Sequence, residues 1–129
     1  MNHSSSSVYN QSYAYGDGEM TSTVDDLERC TAALFAGRLL PARLLRRMFT
    51  LPPEHVRMLG SSSARYSMGL QTATVNGVTF WGKTGKQYGN DSGMFSTLDG
   101  QRRLAWSYSP VAGGPEQQRT TKRIVTALT

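Results

Sequence analysis

The dipeptide Asn76-Gly77 is the feature that most constrains how this chain can fold. Both residues tolerate a positive φ, which the tight two-residue turn of a β-hairpin requires. On either side of the dipeptide, residues 66–73 and 78–83 have a strand-like pattern of alternating side chains. The sequence therefore predicts that these two segments pair as antiparallel strands.

A second hairpin is predicted further along the chain, around Asp99-Gly100. The segments on either side of this turn, residues 93–98 and 102–109, have the same strand-like pattern. Together the two hairpins predict an antiparallel sheet of three to four strands.

Helical patterns precede the predicted sheet. Ser22 or Thr23 is placed to cap a first helix, because acidic residues that suit the positive end of a helix dipole follow at once. These acidic residues are Asp25, Asp26 and Glu28. Pro41 is suited to begin a second helix, which ends before Pro52.

A last helix is predicted over residues 116–128, directly after Pro115. Runs of helix, then strand, then helix are typical of an α+β fold. We therefore expect an α+β protein in which flanking helices cover one face of the antiparallel sheet.

The size and charge of the chain limit its functions. Its 129 residues suffice for one small core, and 14 Lys and Arg against 9 Asp and Glu give a net charge of +5. Such a charge attracts anionic partners, nucleic acid among them. The basic residues are scattered, however, without the interleaved aromatic residues of single-strand-binding proteins, so we expect no nucleic-acid partner.

Metal and cofactor sites are not indicated by the sequence. His3 and His55 have no Cys, Asp or Glu at metal-ligand spacing, and the single Cys30 excludes an internal disulfide. We therefore expect neither a metal nor a cofactor.

The N-terminal region carries no recognisable targeting signal. Residues 1–14 are polar and rich in serine, and we expect them to form a flexible arm ahead of a domain over residues 15–129. They lack the basic and apolar stretches of a signal peptide, and no apolar run approaches the ~20 residues that span a membrane. The sequence therefore predicts no membrane span and leaves the localisation of the chain open.

The second strand of the first predicted hairpin leads directly into a Lys-Thr-Gly triplet. Residues 80–85 are Phe-Trp-Gly-Lys-Thr-Gly. Lys-Thr-Gly is the third signature of the penicillin-recognising serine hydrolases, in which a strand carries it along one wall of the acyl-transfer site. The triplet alone also fits an ordinary charged turn, with Lys83 solvated at the end of a strand.

Three further segments strengthen the functional interpretation of the triplet. They are Gly-Glu-Met-Thr-Ser-Thr-Val-Asp-Asp-Leu at residues 18–27, Ala-Ala-Leu-Phe-Ala-Gly-Arg-Leu-Leu at 32–40 and Tyr-Ser-Met-Gly-Leu at 66–70. In this order, residues 15–108 resemble the C-terminal part of the serine β-lactamase and D-alanyl-D-alanine carboxypeptidase family, in its actinobacterial, class C-like branch. The resemblance implies that residues 15–129 are the C-terminal portion of a β-lactamase/transpeptidase-like fold.

The chain departs from the family at the nucleophile, which is the serine of Ser-x-x-Lys. The residues three positions before its three lysines are Phe80, Lys83 and Arg119, so the chain contains no such motif. The Tyr-x-Asn match at residues 88–90 follows Lys83 instead of preceding it, and we interpret it as a turn between strands. The resemblance therefore implies a fragment that can line a site but cannot form an acyl-enzyme alone.

The resemblance also implies roles for six residues. Lys83 would place its charge near the nucleophile or bind a substrate carboxylate, and Thr84 would donate its hydroxyl to the same group. Gly82 and Gly85 would let an extended peptide or β-lactam lie against the strand. The substrate would also contact Lys86 and Gln87, which belong to the segment 86–88 where the resemblance places a backbone donor of the oxyanion hole.

Two classes of function remain open. In the first, the chain belongs to a carboxypeptidase-like or β-lactamase-like serine hydrolase that takes a peptidoglycan-type peptide or a β-lactam once an N-terminal half completes the site. Full-length relatives of this kind act outside the cell or in the cell envelope. In the second, the chain is a non-catalytic module of the same fold that binds peptides or complements a separate N-terminal half.

The two classes differ in how completely the apolar side chains on the sheet should be covered. The first class predicts an incompletely covered apolar face, because the family's N-terminal helix and strands normally contribute to this core. The residues concerned are Leu70, Phe80, Phe95 and Trp106. Such a face would favour self-association, whereas coverage of all four residues by the chain's own helices would favour the binding module.

Overall fold

The described part of the chain forms an α+β fold with a four-stranded antiparallel sheet and three helices. The computed structural model describes residues 15–18, 20–58, 63–87, 89–110 and 115–127. The predicted arm over residues 1–14 therefore lies outside the described residues. The elements in chain order are α1 (Val24–Phe35), α2 (Ala42–Met48), β1 (Gln71–Val75), β2 (Val78–Gln87), β3 (Asn90–Ser96), β4 (Arg103–Tyr108) and α3 (Pro115–Thr126).

The helices begin where the sequence predicts. Thr23 caps α1, since its hydroxyl oxygen accepts a hydrogen bond from the backbone N–H of Asp26 at 3.1 Å. Asp25 and Asp26 lie in the first turn, near the positive end of the helix dipole. Helix α2 follows Pro41 directly, and α3 starts at Pro115.

The sheet has the strand order β1-β2-β3-β4, and each strand is antiparallel to its neighbours. Asn76 and Gly77 form the first turn with φ values of +48° and +78°, and Val75 pairs with Val78 across it. These angles suit a tight turn that matches the twist of the two strands. Both predicted hairpins, and the antiparallel sheet that they imply, are thereby confirmed.

The start of β1 differs from the prediction. We expected a strand over residues 66–73, but β1 begins at Gln71, and Tyr66 makes only an isolated bridge to Gln71. The chain reverses between these two residues, because Gly69 has a φ of +86° and the N–H of Ser67 donates to the carbonyl oxygen of Leu70 at 2.7 Å. Tyr66 is therefore carried to the outer side of β1.

Helices cover both faces of the sheet, and not one face as expected. Phe80 and Trp81 are neighbours in β2, so their side chains lie on opposite faces. Trp81 packs in a cluster with residues of α1 and α2, whereas Phe80 packs in a second cluster to which α3 contributes Ile124 and Val125. Each face thus has its own apolar core.

The four apolar residues that we expected to form an incompletely covered sheet face are buried in the described part of the chain, so they offer no exposed apolar surface for self-association. The four residues concerned have exposed fractions of 2% for Leu70, 0% for Phe80, 4% for Phe95 and 7% for Trp106. Their coverage follows from the two helical layers, since α1 and α2 pack on one face and α3 on the other. The sequence did not reveal this because it depends on how the helices return to the sheet.

Candidate functional site

The Lys-Thr-Gly triplet lies within β2 and not at its end. We expected a strand over residues 78–83 with Lys83 near its exposed end. The strand instead continues to Gln87, because the residues that follow the triplet still pair with β3. The triplet is therefore held by a regular ladder on one side.

Within the described residues, β2 is paired on both sides only at Trp81 and Gly82, because residues 78–80 pair with β1 alone and residues 83–87 with β3 alone. Strand β1 pairs with β2 from Val78 to Gly82, where its partner is Gln71. Since the chain turns away before Gln71, no described strand pairs with residues 83–87 on this side. We call residues 83–87 the open half of β2, and they form the candidate site.

Alternate residues of the open half direct their backbone groups to the open edge. A two-residue hairpin is closed by a pair that exchanges both backbone hydrogen bonds, and such pairs then recur at every second residue. Val78 closes the hairpin with β1, and Gln87 closes the hairpin with β3. Both closures give the same result, in which even-numbered residues bond towards β1 and odd-numbered residues towards β3. The N–H and C=O groups of Thr84 and Lys86 therefore face the open edge.

The ammonium group of Lys83 lies at this edge. Its Nζ donates a hydrogen bond to the carbonyl oxygen of Thr84 at 2.8 Å and lies 5.8 Å from the centroid of the Tyr66 ring. A cation at this distance from an aromatic face is attracted by the π electrons. Because the Lys83 side chain is exposed, its charge remains accessible from solvent.

Tyr66 is a residue of the site to which sequence reasoning gave no role. It reaches Lys83 because the reversed chain before β1 returns along the outer side of that strand, where Tyr66 bridges to Gln71. The left-handed Gly69 was the available signal, since a glycine within a strand pattern can mark a reversal of the chain.

The side chains of Lys83 and Thr84 leave β2 on opposite faces of the sheet. Thr84 pairs with Gly93, which pairs with Trp106, so Thr84 lies on the face covered by α3. Lys83 is its neighbour in an extended strand and therefore starts on the other face. A ligand group that contacts both side chains has to lie at the edge itself, where the long stem of Lys83 brings its ammonium group.

Gly82 and Gly85 both avoid collisions within the sheet. A Cβ atom at Gly82 would collide with the carbonyl oxygen of Met94 and with Phe95. At Gly85 it would lie 2.5 Å from the hydroxyl oxygen of Ser92. Strand β3 therefore fills the space on the Cβ side of both glycines. That the two glycines leave room for a ligand at the open edge remains a prediction.

The far end of the open half adjoins a polar cluster that the sequence did not indicate. Lys86 pairs with the buried Asp91, which pairs with Tyr108. The Tyr108 hydroxyl donates to Asp91 at 3.0 Å and lies 2.9 Å from the hydroxyl of Thr121 on α3. Burial raises the pKa of Tyr108, and the bond to Asp91 adds to this rise, while the bond to Thr121 opposes it. The cluster links α3 to the sheet.

Gln87 ends the open half and pairs with Asn90, and Gly89 in the turn has a φ of +76°. Of residues 88–90, which we interpreted as a turn between strands, Gly89 lies in the turn, whereas Asn90 is already the first residue of β3. Tyr88, at the end of the segment expected to contribute to an oxyanion hole, lies outside the described residues.

The open half can bind an extended chain that carries a negative charge. It combines strand-edge backbone groups, an ammonium group and the hydroxyl of Thr84. Within the described ranges, no three His, Cys, Asp or Glu side chains are grouped so as to hold a metal ion. None of the described helices has the length and apolar character needed to cross a bilayer. Comparison with known proteins finds no family and no curated protein that matches this chain.

Proposed function

We propose that the open half of β2 binds an extended peptide, or a β-lactam that resembles one, as an added strand. In this proposal the chain is the C-terminal, substrate-binding portion of a β-lactamase-related serine hydrolase of the D-alanyl-D-alanine carboxypeptidase type. Its sheet is then part of a β-lactamase/transpeptidase-like fold. The observation that carries the proposal is that the Lys-Thr-Gly triplet, at residues 83–85, lies on the edge of β2 with which no described strand pairs on the β1 side.

Main-chain hydrogen bonds fix the position of the ligand. Thr84 and Lys86 offer N–H and C=O groups to the backbone of the added strand, as in other cases of strand addition. Each such neutral bond contributes about 0.5–1.5 kcal/mol net. These bonds give register and direction, but they distinguish little between one peptide and another.

The charge of Lys83 supplies the selectivity. A hydrogen bond between an ammonium group and a carboxylate contributes about 1.5–3 kcal/mol, which is more than a neutral backbone bond. In this proposal the hydroxyl of Thr84 would donate to the same carboxylate at the edge. We therefore infer that a peptide with a free C-terminal carboxylate is preferred over the same peptide ending in an amide.

Acyl transfer would require a nucleophile from outside the chain. The sequence has no Ser-x-x-Lys, so no serine is paired with the lysine that would activate it. In the completed hydrolase, Lys83 would stabilise the charge that develops as the serine attacks the substrate. On its own, the chain would bind without hydrolysis.

A non-catalytic peptide-binding module is the second candidate function. The burial of Leu70, Phe80, Phe95 and Trp106 under the chain's own helices favours it, because neither face of the sheet needs a second half to cover these four residues. The same open half of β2 would then bind peptides without any acylation step.

Equilibrium binding tests the feature shared by both candidates. A fluorescent peptide ending in D-Ala-D-Ala is titrated with the chain, and fluorescence polarisation measures the dissociation constant. We expect saturable binding that weakens about tenfold in Lys83→Ala, which corresponds to about 1.4 kcal/mol. Lys122→Ala is the control, since it removes the same charge from α3, outside the open half. Equal losses in the two variants, or no binding to the wild type, would contradict the proposal.

Hydrolysis separates the two candidate functions. The chain is mixed with a separately produced N-terminal half that carries Ser-x-x-Lys and Tyr-x-Asn, and turnover of a chromogenic cephalosporin is followed. Turnover that requires both halves supports the hydrolase, whereas peptide binding without any turnover in the mixture supports the binding module.

A further inference from the structure

The hydrogen bond between Lys83 and Thr84 occupies a group that an added strand would need. The carbonyl oxygen of Thr84 faces the open edge, and the Lys83 ammonium group lies 2.8 Å from it. An incoming strand would donate a backbone N–H to this same oxygen. The ammonium group therefore stands in the place of the first donor of a ligand.

A second contact keeps the ammonium group in that position. The ring of Tyr66 lies 5.8 Å from Nζ, and the isolated bridge to Gln71 fixes the backbone of Tyr66 beside the end of β1. The ammonium group is thus attracted both by the Thr84 carbonyl and by the ring. Lysine side chains at open strand edges commonly protect them against pairing with other chains.

We propose that Lys83 closes the open half of β2 in the unliganded chain. A strand pairs with Thr84 only after the ammonium group leaves the carbonyl oxygen, and an anionic group on that strand draws it away. The ligands selected are extended peptides with a carboxylate beside the residue that pairs with Thr84. The part of this inference that concerns ligands rests on the proposed function.

Tyr66 is a positioning residue in this arrangement, because it contacts the ammonium group of Lys83 and acts on the ligand through it. Tyr66→Phe keeps the aromatic ring and should preserve the closed edge. Tyr66→Leu keeps an apolar side chain but removes the π electrons, so it should weaken the hold on the ammonium group.

The unliganded chain provides the first test, through the ¹³C resonance of the Thr84 carbonyl in NMR spectra. In Tyr66→Leu this resonance should move towards its value in a carbonyl without the ammonium bond, whereas Tyr66→Phe and the control Lys122→Met on α3 should leave it in place. Equal shifts in Tyr66→Phe and Tyr66→Leu, or no shift in either, would overturn the role of Tyr66.

Peptide affinity provides the second test, with Lys83→Met as a neutral replacement of similar length. This variant should bind the carboxylate-ended peptide at least tenfold more weakly, yet bind the amide-ended peptide severalfold more tightly, since the edge no longer has to be opened. Weaker binding of both peptides would overturn the inference and leave the proposed function standing. If neither peptide binds the wild type or the variant, the proposed function fails, and the carbonyl shifts alone decide whether Lys83 closes the edge.

Discussion

Trp106 on β4 lies over Gly93 on β3, and its ring occupies the position that a Cβ atom at Gly93 would take. The two residues are register partners in adjacent strands. The same ring stacks on Phe95 with a centroid distance of 5.7 Å, and Phe95 in turn lies against Gly82 next to the Lys-Thr-Gly triplet. The apolar core beneath α3 is thus built directly onto the strand that carries the candidate site.

Substitution of Gly93 by alanine should destabilise the fold strongly. The added methyl group would overlap the indole of Trp106, and overpacking of a core typically costs about 1–3 kcal/mol. Gly77→Ala is a useful comparison, since that site has open space but a φ of +78°, so its cost of about 1–2 kcal/mol arises from backbone strain alone. Urea denaturation measures both free energies of unfolding.

A second variant makes the Gly93 prediction specific to the indole contact. If Trp106→Leu is combined with Gly93→Ala, the added methyl group no longer meets the ring, so the cost of Gly93→Ala should fall. An unchanged cost in that background would show that Trp106 is not the reason for the glycine.

The glycines of the triplet strand should differ in how well they tolerate a side chain. Gly82→Ala directs its methyl group into the backbone of Met94, which cannot move aside, whereas Gly85→Ala meets the hydroxyl of Ser92. We therefore expect Gly82→Ala to be the more destabilising, and we expect Ser92→Gly to recover most of the loss caused by Gly85→Ala. Thermal denaturation of the two single variants and the double variant measures this, and a double variant no more stable than Gly85→Ala would refute the contact.

Stability should fall at high pH because of Tyr108. Its pKa is raised in the folded chain, chiefly by burial, so the folded state keeps its proton at a pH where the unfolded state has lost it. The contribution is therefore present below the ordinary tyrosine pKa of about 10 and is lost as the pH rises through the folded pKa. Denaturation curves between pH 8 and about 11.5 should show this decline in the wild type. Tyr108→Phe should be less stable at neutral pH but should decline less steeply, and an identical slope would contradict the assignment.

The chain alone should not react covalently with penicillin. Acylation requires an activated serine, and no serine in the chain has a lysine three residues later. Intact mass spectrometry after incubation with a fluorescent penicillin should show only the unmodified mass, and stoichiometric labelling would disprove this. In a mixture with an N-terminal half that supplies the serine, Lys83→Ala should lower the acylation rate by about 10²-fold or more, whereas Lys122→Ala on α3 should not.

The sequence predicted the local features of the fold because short-range chemistry determines them. The cap at Thr23 and the turn at Asn76-Gly77 depend on a few neighbouring residues, and both were predicted correctly. The start of β1 was predicted incorrectly, because it depends on the left-handed Gly69 and on a turn that only the folded chain reveals.

The candidate site could be predicted only in part for the same reason. The triplet placed Lys83 and Thr84 on a strand, but the open half exists because β1 stops at Gln71, which is a consequence of tertiary structure. The approach of Tyr66 to Lys83 depends on the same reversal of the chain. Coverage of both faces by helices likewise requires contacts between segments far apart in the sequence.

Residue-by-residue hydrogen exchange of the backbone amides of β2, with and without the carboxylate-ended peptide, shows directly where the ligand pairs with the sheet. In the unliganded chain, the N–H groups of Thr84 and Lys86 should exchange quickly because they face the open edge, while those of Lys83 and Gly85 should be protected by their bonds to β3. Saturating peptide should protect Thr84 and Lys86 selectively. Equal protection of odd-numbered and even-numbered residues before the peptide is added, or new protection confined to another edge such as that of β4, would show that the ligand does not pair with the open half of β2.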